Sequence, residues 1–250
     1  MKIGVTIVAT NSYFPLGIRL IKRFAQFYKG NAEITFYIFT DTNPKDYLPD
    51  NINCVYIHRE HKQWVDGTNS KFQNILDIAD LLINEDYVMQ LDADTNVSRE
   101  FTEDWFIGDR VGGQHYGDIG YVEKPFDRHI LSMAYIPKDT PYPQTYYYGA
   151  FFSFSYKELI EFCETLIKWQ KYDKEKLNYE PVWNDESYIN KYFHYNPPKT
   201  ILCKDFPFIV SDKGGIGETR NTNLDVNSLK ADLRKYRDML IDIKNGKVCV

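Results

Sequence analysis

Up to Leu91 the chain alternates short apolar runs with stretches of helical period, and few architectures accept that alternation. Residues 3–9 are an apolar run of strand length, the pattern of a strand buried on both faces. Between residues 16 and 28, Leu20, Ile21, Phe24, Phe27 and Tyr28 recur at helical spacing, and Gly30 supplies a stop. Residues 34–39 are β-branched and aromatic and run into the polar turn Asp41-Thr42-Asn43-Pro44; residues 53–57 read as another short strand. Phe72, Ile75, Leu76, Ile78 and Leu82 predict one helix, and residues 87–91 the next strand. Strands and helices in this order build an α/β fold, a mostly parallel Rossmann-like sheet flanked by helices. Such sheets bind ligands outside the carboxyl ends of their strands, so the residues just after Ala9 and just after Leu91 are the first candidates for a site.

Composition sets the outer limits. With 20 Tyr and 16 Phe among 250 residues, the chain is too rich in aromatics for a solvated coil. No stretch approaches about 18 apolar residues, so no membrane span is expected. Residues 3–9 are too short for a signal-peptide core, and a cytoplasmic location is expected. The net charge of −5 favours neither nucleic acid nor an anionic membrane as a partner. A phosphate-bearing ligand must then be held by local cations or a metal ion. Cys54, Cys163, Cys203 and Cys249 are scattered without zinc spacing and read as buried thiols in a reducing compartment. Without a secretion signal, Asn96-Val97-Ser98 reads as a chance glycosylation sequon.

The middle of the chain, residues 111–154, is rich in Gly, Pro and aromatics and reads as strands and loops shaping a pocket. Ser155 and Glu158 have capping-box spacing before a helix with Leu159, Phe162, Cys163, Leu166 and Ile167 on its apolar face. Residues 171–180 read as a charged loop. Asn184 or Asp185 is placed to cap a short helix towards Phe193, and residues 200–202 as a strand. In the tail, Leu229, Leu233, Tyr236, Leu240 and Ile243 share one helical face. The expected organisation is one domain over residues 1–222 and a C-terminal amphipathic helical extension over 223–250.

Four clusters carry chemistry. Asp92-Ala93-Asp94 directly follows a strand and offers two carboxylates to a hard divalent cation, with positions left for phosphate and water; such a tripeptide also suits a solvated or capping loop. Trp183-Asn184-Asp185-Glu186-Ser187 places two acids at a helix start, where they complement the helix dipole or face a sugar. Tyr146-Tyr147-Tyr148-Gly149-Ala150-Phe151-Phe152 is a core strand or a wall whose two small residues set a pocket's volume. Lys213-Gly214-Gly215 with Arg220 is a Gly-rich turn with two cations, exposed or closing over phosphate.

Taken in order with Val8-Ala9-Thr10-Asn11-Ser12-Tyr13, Tyr37-Ile38-Phe39-Thr40-Asp41, Trp64 with Asp66, Ala134-Tyr135-Ile136-Pro137-Lys138-Asp139 and Asn190-Lys191-Tyr192, these segments resemble glycosyltransferase family 6, which includes the histo-blood-group A and B transferases and α-1,3-galactosyltransferase. The likeness covers roughly residues 1–220. It implies a GT-A fold and a retaining transfer of galactose or N-acetylgalactosamine from a UDP-sugar donor to a glycan acceptor with a terminal galactoside. Tyr13 then resembles the residue that stacks on uracil, with Val8 and Ala9 lining its pocket. Lys71 falls where the family has a donor-contacting arginine. Asp92 and Asp94 match the metal-binding acids and imply Mn²⁺ or Mg²⁺. Gly149 and Ala150 correspond to the patch beside the donor sugar, and Lys213 and Arg220 to cations that close over the diphosphate. His115 and Trp183 resemble acceptor-side residues, Asp185 the donor-sugar ligand and Glu186 the nucleophile.

Departures fall mainly on the acceptor side. Asn184 stands where the family has His, Pro125 where it has Thr, and the stretch between Cys203 and Lys213 is short. Lys71 replaces a bidentate guanidinium by a point charge. Two other readings stay open. A sugar nucleotidyltransferase would carry a Gly-rich phosphate loop near the N-terminus, and residues 8–13 hold no glycine. A carbohydrate-binding module would explain the aromatics but would not need Lys213 and Arg220.

Overall fold

A computed structural model describes residues 1–97, 99–115, 126–138, 145–202 and 208–209. Its strands are β1 (Lys2–Val8), β2 (Glu33–Thr40), β3 (Cys54–His58), β4 (Tyr87–Asp92), β5 (Asn96–Val97), β6 (Arg110–Gln114), β7 (Tyr147–Ser155), β8 (Thr200–Leu202) and β9 (Phe208–Ile209). Its helices are α1 (Phe14–Phe27), α2 (Trp64–Asn69), α3 (Lys71–Leu76), α4 (Ala79–Leu82), α5 (Tyr156–Tyr172) and α6 (Asn184–Tyr195). Seven strands form one sheet in the order β3-β2-β1-β4-β7-β6-β8, and β5 pairs with β9 apart from it. β7 runs antiparallel to both neighbours, while the other six strands share one direction. The mostly parallel, helix-flanked α/β sheet expected of a GT-A fold is therefore present.

From β1 the chain steps out to β2 and β3, then returns to β4 on the other side of β1. The crevice between the carboxyl ends of β1 and β4 lies at this reversal, where sheets of this kind bind ligands. Register puts Val8 opposite Asp92 there.

One sheet face packs against α1, whose Ile18, Leu20, Ile21 and Phe24 meet Ile3, Val5 and Ile7 in a single buried cluster. Each such side chain contributes roughly 1.5–3 kcal/mol of burial before the entropy of ordering is set against it. Gly17 allows α1 to sit close: a Cβ there would stand 2.6 Å from that of Ala9. The opposite face is aromatic. Phe162 of α5 stacks on Phe154 of β7 (ring centroids 4.6 Å) and meets Tyr192 of α6 edge-on at 4.9 Å. These contacts fix α6 against β7.

Four local expectations are corrected. The helix expected through Phe72 and Leu82 is two pieces, because Ile78 leaves helical geometry (φ −117°, ψ 19°) and its N–H bonds the Ile75 carbonyl. Ser155 precedes α5 but makes no side-chain cap, and the reciprocal half of the capping box is absent too, because Glu158 pairs with Arg110 at 2.8 Å. Residues 171–180 are not simply a loop: Lys171 is helical, and a π turn (Asp173–Leu177) follows, ended by Asn178 in the left-handed region (φ 46°). At α6 the capping position falls to Trp183, whose N–H donates to Ser187 Oγ at 3.0 Å. Cys163 is buried and Cys54 half-buried. Cys203, Cys249, the stretch between Cys203 and Lys213 apart from residues 208–209, and the helical extension expected over 223–250 lie outside the described residues.

Candidate active site

β4 ends at Asp92, and a turn closed by the Thr95 N–H on the Asp92 carbonyl (2.9 Å) follows. Ala93 is buried while Asp92 and Asp94 on either side remain partly exposed. The next group inward is Lys71, the first residue of α3, with only 4% of its side chain exposed. Its ammonium lies 2.9 Å from Asp92 Oδ1 and 2.7 Å from Asp185 Oδ2, and donates to the Gly149 carbonyl at 3.1 Å. Burial alone would lower the Lys71 pKa; Asp185 and Asp92 more than reverse this and hold it above its ordinary value. Asp185 is also buried, and desolvation keeps its carboxyl above the usual range against the pull of Lys71. One buried cation thus ties the end of β4, the start of β7 and the start of α6.

Glu186 completes this corner. Its Oε2 accepts the Gly149 N–H at 2.7 Å. Burial raises its pKa, while that N–H and the Tyr146 hydroxyl act the other way. Close approach is possible because residue 149 lacks a side chain: a Cβ there would meet the Glu186 Cβ at 2.9 Å. Ala150 and Tyr148, on either side of Gly149, are each 5% exposed.

After β1, Asn11 adopts φ 52°, a region that Asn tolerates, and both Asp41 carboxylate oxygens accept its N–H (3.1 and 3.0 Å). That turn presents Tyr13, nearly half exposed, beside the acids: its phenol is raised by burial and then by the charges of Asp94 and Asp92. At the carboxyl end of β1, Val8 is half-buried and the following Ala9 is buried. The structure therefore brings Val8, Ala9, Tyr13, Lys71, Asp92, Asp94, Gly149, Ala150, Asp185 and Glu186 to one end of the sheet.

His115 follows β6, its N–H donating to the Tyr146 carbonyl at 2.8 Å, with its ring 4.4 Å from that of Tyr148. Desolvation lowers its pKa to about 4, so the imidazole is neutral near pH 7. Trp183 packs with Phe126, Ile136 and Tyr146. Lys213 and Arg220 lie outside the described residues. Asn190 was not legible as a site residue, yet it is buried beside Glu186 and bonds both Tyr147 and the Glu186 carbonyl. Its i, i+4 spacing from Glu186 among Tyr188, Ile189, Tyr192 and Phe193 was the available signal.

Among the described residues, no three His, Cys, Asp or Glu side chains gather as a metal cluster. Asp92 and Asp94 fit a divalent cation as two hard oxygen donors, with the remaining positions available to a ligand's diphosphate and to water. No helix among the described residues is long and apolar enough to cross a membrane.

The model of the Glycosyltransferase family 6 matches residues 1–214. The chain is similar to Histo-blood group ABO system transferase 2 of Rattus norvegicus, 25% identical over 213 aligned positions, with 82% of this chain and 62% of that protein covered. The corresponding figures for transferase 1 of the same organism are 25%, 82% and 60%. The O-antigen biosynthesis glycosyltransferase WbnI of Escherichia coli is 27% identical over 172 residues, 65% of this chain and 69% of that protein. The chain spans about three-fifths of the length of the two Rattus norvegicus relatives.

Proposed function

This chain belongs to glycosyltransferase family 6, and from that premise we propose that it transfers galactose from UDP-galactose to a hydroxyl of a terminal galactoside, forming an α-1,3 linkage with retention. N-acetylgalactosamine is the second candidate donor sugar. The observation that carries this reading is the Lys71 junction, which joins Asp92 at 2.9 Å to Asp185 at 2.7 Å, next to Glu186. It sets the acids suited to a metal-diphosphate beside the acids suited to a sugar.

In this reading Tyr13 stacks on uracil above Val8 and Ala9. Asp92 and Asp94 would hold Mn²⁺ or Mg²⁺, and the chemistry that ion would supply is positive charge against the charge developing on the departing UDP. Lys213 and Arg220 add cationic charge to the same leaving group. Asp185, kept in place by Lys71, accepts hydrogen bonds from the donor sugar's hydroxyls. Glu186 faces the reacting carbon. One of its oxygens is fixed by the Gly149 N–H, so its position is set before substrate arrives. Retention then proceeds through a covalent bond to Glu186, or by same-face attack with Glu186 stabilising the oxocarbenium-like state. His115, neutral near pH 7, and Trp183 line the acceptor side.

The test is a panel of UDP-sugars with divalent metal against a glycan array, with UDP release and product linkage determined. Release of UDP from UDP-galactose with an α-1,3 product is expected. Glu186→Gln should bind UDP and lose most turnover, because it removes a charge needed mainly in the transition state. Sugar binding without UDP release from any donor would return the carbohydrate-binding module. Sugar-nucleotide synthesis would return the nucleotidyltransferase.

A further inference from the structure

The Glu186–Gly149 contact is one of two hydrogen-bonded links between α6 and the start of β7. Four residues along α6, the Asn190 side chain accepts the Tyr147 N–H on Oδ1 at 2.8 Å. Its Nδ2 donates to the Tyr147 carbonyl and to the Glu186 carbonyl, both at 2.9 Å. Both amide hydrogens are used, and Asn190 is 1% exposed. To Tyr147 the side chain is a substitute strand, pairing with its N–H and C=O as a neighbouring backbone would.

The spacings match. Glu186 and Asn190 stand four residues apart on one helix face, about 6 Å along its axis. Gly149 and Tyr147 stand two residues apart with their N–H groups aimed the same way, about 6.6 Å along the strand. One link fixes where α6 lies along β7, and the other places the Glu186 carboxylate. Without Asn190, the packing of Ile189, Tyr192 and Phe193 in the core still holds α6 to the sheet. Apolar packing is not directional, however, and the register then rests on first-turn contacts alone: the Lys71 bridge from Asp185 to the Gly149 carbonyl and the Glu186–Gly149 hydrogen bond itself.

We propose that Asn190 is a positioning residue for Glu186: it locks the register of α6 on β7 and so seats the Glu186 carboxylate on the Gly149 N–H. The catalytic consequence rests on the reading of Glu186 given above; the geometric one does not.

The test uses the full chain as wild type, Asn190→Ala, Asn190→Asp and Glu186→Gln. Asn190→Asp keeps the acceptor for the Tyr147 N–H and loses both donors. Donor kinetics should show kcat lowered by about tenfold to a hundredfold in both Asn190 variants, the scale of a reacting group displaced by about 1 Å. KM for UDP-galactose should change less than kcat, because Lys71 still holds Asp185, the donor-sugar ligand, at 2.7 Å. A second readout needs no activity. Labelling with ¹³C-carbonyl tyrosine and ¹⁵N-glycine marks only the amides of Gly117 and Gly149, the two glycines that follow tyrosine. The one that moves in Glu186→Gln is Gly149, and it should move the same way in Asn190→Ala. A folded Asn190→Ala with wild-type kcat and an unmoved Gly149 amide overturns the proposal. If Asn190→Ala fails to fold, the Gly149 amide of Asn190→Asp decides by the same criterion. Wild-type turnover in Glu186→Gln would instead overturn the function of Glu186, and the Gly149 amide would still decide whether Asn190 seats it.

Discussion

Gly149 donates its N–H to Glu186 at 2.7 Å, at a place where a methyl group would stand 2.9 Å from the Glu186 Cβ. Gly149→Ala therefore pushes on the helix that carries Glu186. We expect it to fold with a loss of about 1–3 kcal/mol, the range for overpacking a tight contact, and to lose turnover at least about tenfold. Urea denaturation and steady-state kinetics measure the two effects. A folded variant with undiminished kcat would show that Glu186 has room to retreat.

Lys71 is the one cation within hydrogen-bonding reach of both Asp92 and Asp185 among the described residues. Lys71→Met leaves Asp185 buried without it, and breaking a buried pair on one side costs about 3–5 kcal/mol. Burial already holds Asp185 above the usual carboxylate range, so protonation relieves the variant in acid. The loss should be larger at pH 8 than at pH 5, and Lys71→Arg should restore much of it by returning the charge. Equal stability of Lys71→Met and wild type at pH 8 would show that the Lys71 junction does not stabilise the fold.

The parts of this molecule legible in sequence are those whose signal is local. The apolar run of β1, the helical period of α1 and the polar turn after β2 place three neighbouring elements without tertiary information. Asp92 was legible as a strand-end acid for the same reason. The helix expected through Leu82 was not resolved into two, because Ile78 keeps the apolar period while its backbone leaves the helix. The Glu158 half of the capping box failed because Arg110, far away in the chain, claims that carboxylate. Lys71 has no local pattern that distinguishes a buried junction from a surface lysine; its partners come from β4, β7 and α6. Asn190 looks like a polar interruption of an apolar face until β7 is laid beside it.

Burial lowers the His115 pKa to about 4, whereas in the unfolded chain it titrates near 6.5. The unfolded state thus binds more protons between these values. The stability this group contributes is fully present above about pH 6.5 and is lost as pH falls towards 4. His115→Asn removes the titration, so its melting temperature should fall less than that of wild type over this interval. Parallel melting curves for the two proteins would contradict the assignment.

Metal dependence is expected because Asp92 and Asp94 add negative charge where the proposed reading puts the donor diphosphate. Chelation should abolish transfer and Mn²⁺ should restore it. Asp92→Asn also disturbs Lys71, which lies 2.9 Å from this carboxylate, so Asp94→Asn is the cleaner variant. Mn²⁺ binding in the presence of UDP, followed by electron paramagnetic resonance, should weaken in Asp94→Asn while the melting temperature holds. Full activity in excess chelator would defeat the assignment of both acids.

We expect donor choice to turn on Ala150, which is 5% exposed and follows the glycine that donates to Glu186. By the family resemblance, this segment faces the second carbon of the donor sugar. N-acetylgalactosamine carries an acetamido group there, and galactose only a hydroxyl. In that reading the Ala150 methyl would take volume that the acetamido group needs, and Tyr148, whose ring lies 4.4 Å from that of His115, would have little freedom to yield it. One misplaced methyl group in a filled pocket costs about 1–3 kcal/mol, enough for a tenfold or greater preference. UDP-galactose should therefore win when both donors compete at equal concentration. Ala150→Gly should shift the ratio towards N-acetylgalactosamine, leaving UDP affinity unchanged because the uracil and diphosphate contacts lie elsewhere. A parent that already prefers N-acetylgalactosamine, or a ratio indifferent to Ala150→Gly, would move the determinant off this strand and onto the residues facing the sugar from α6.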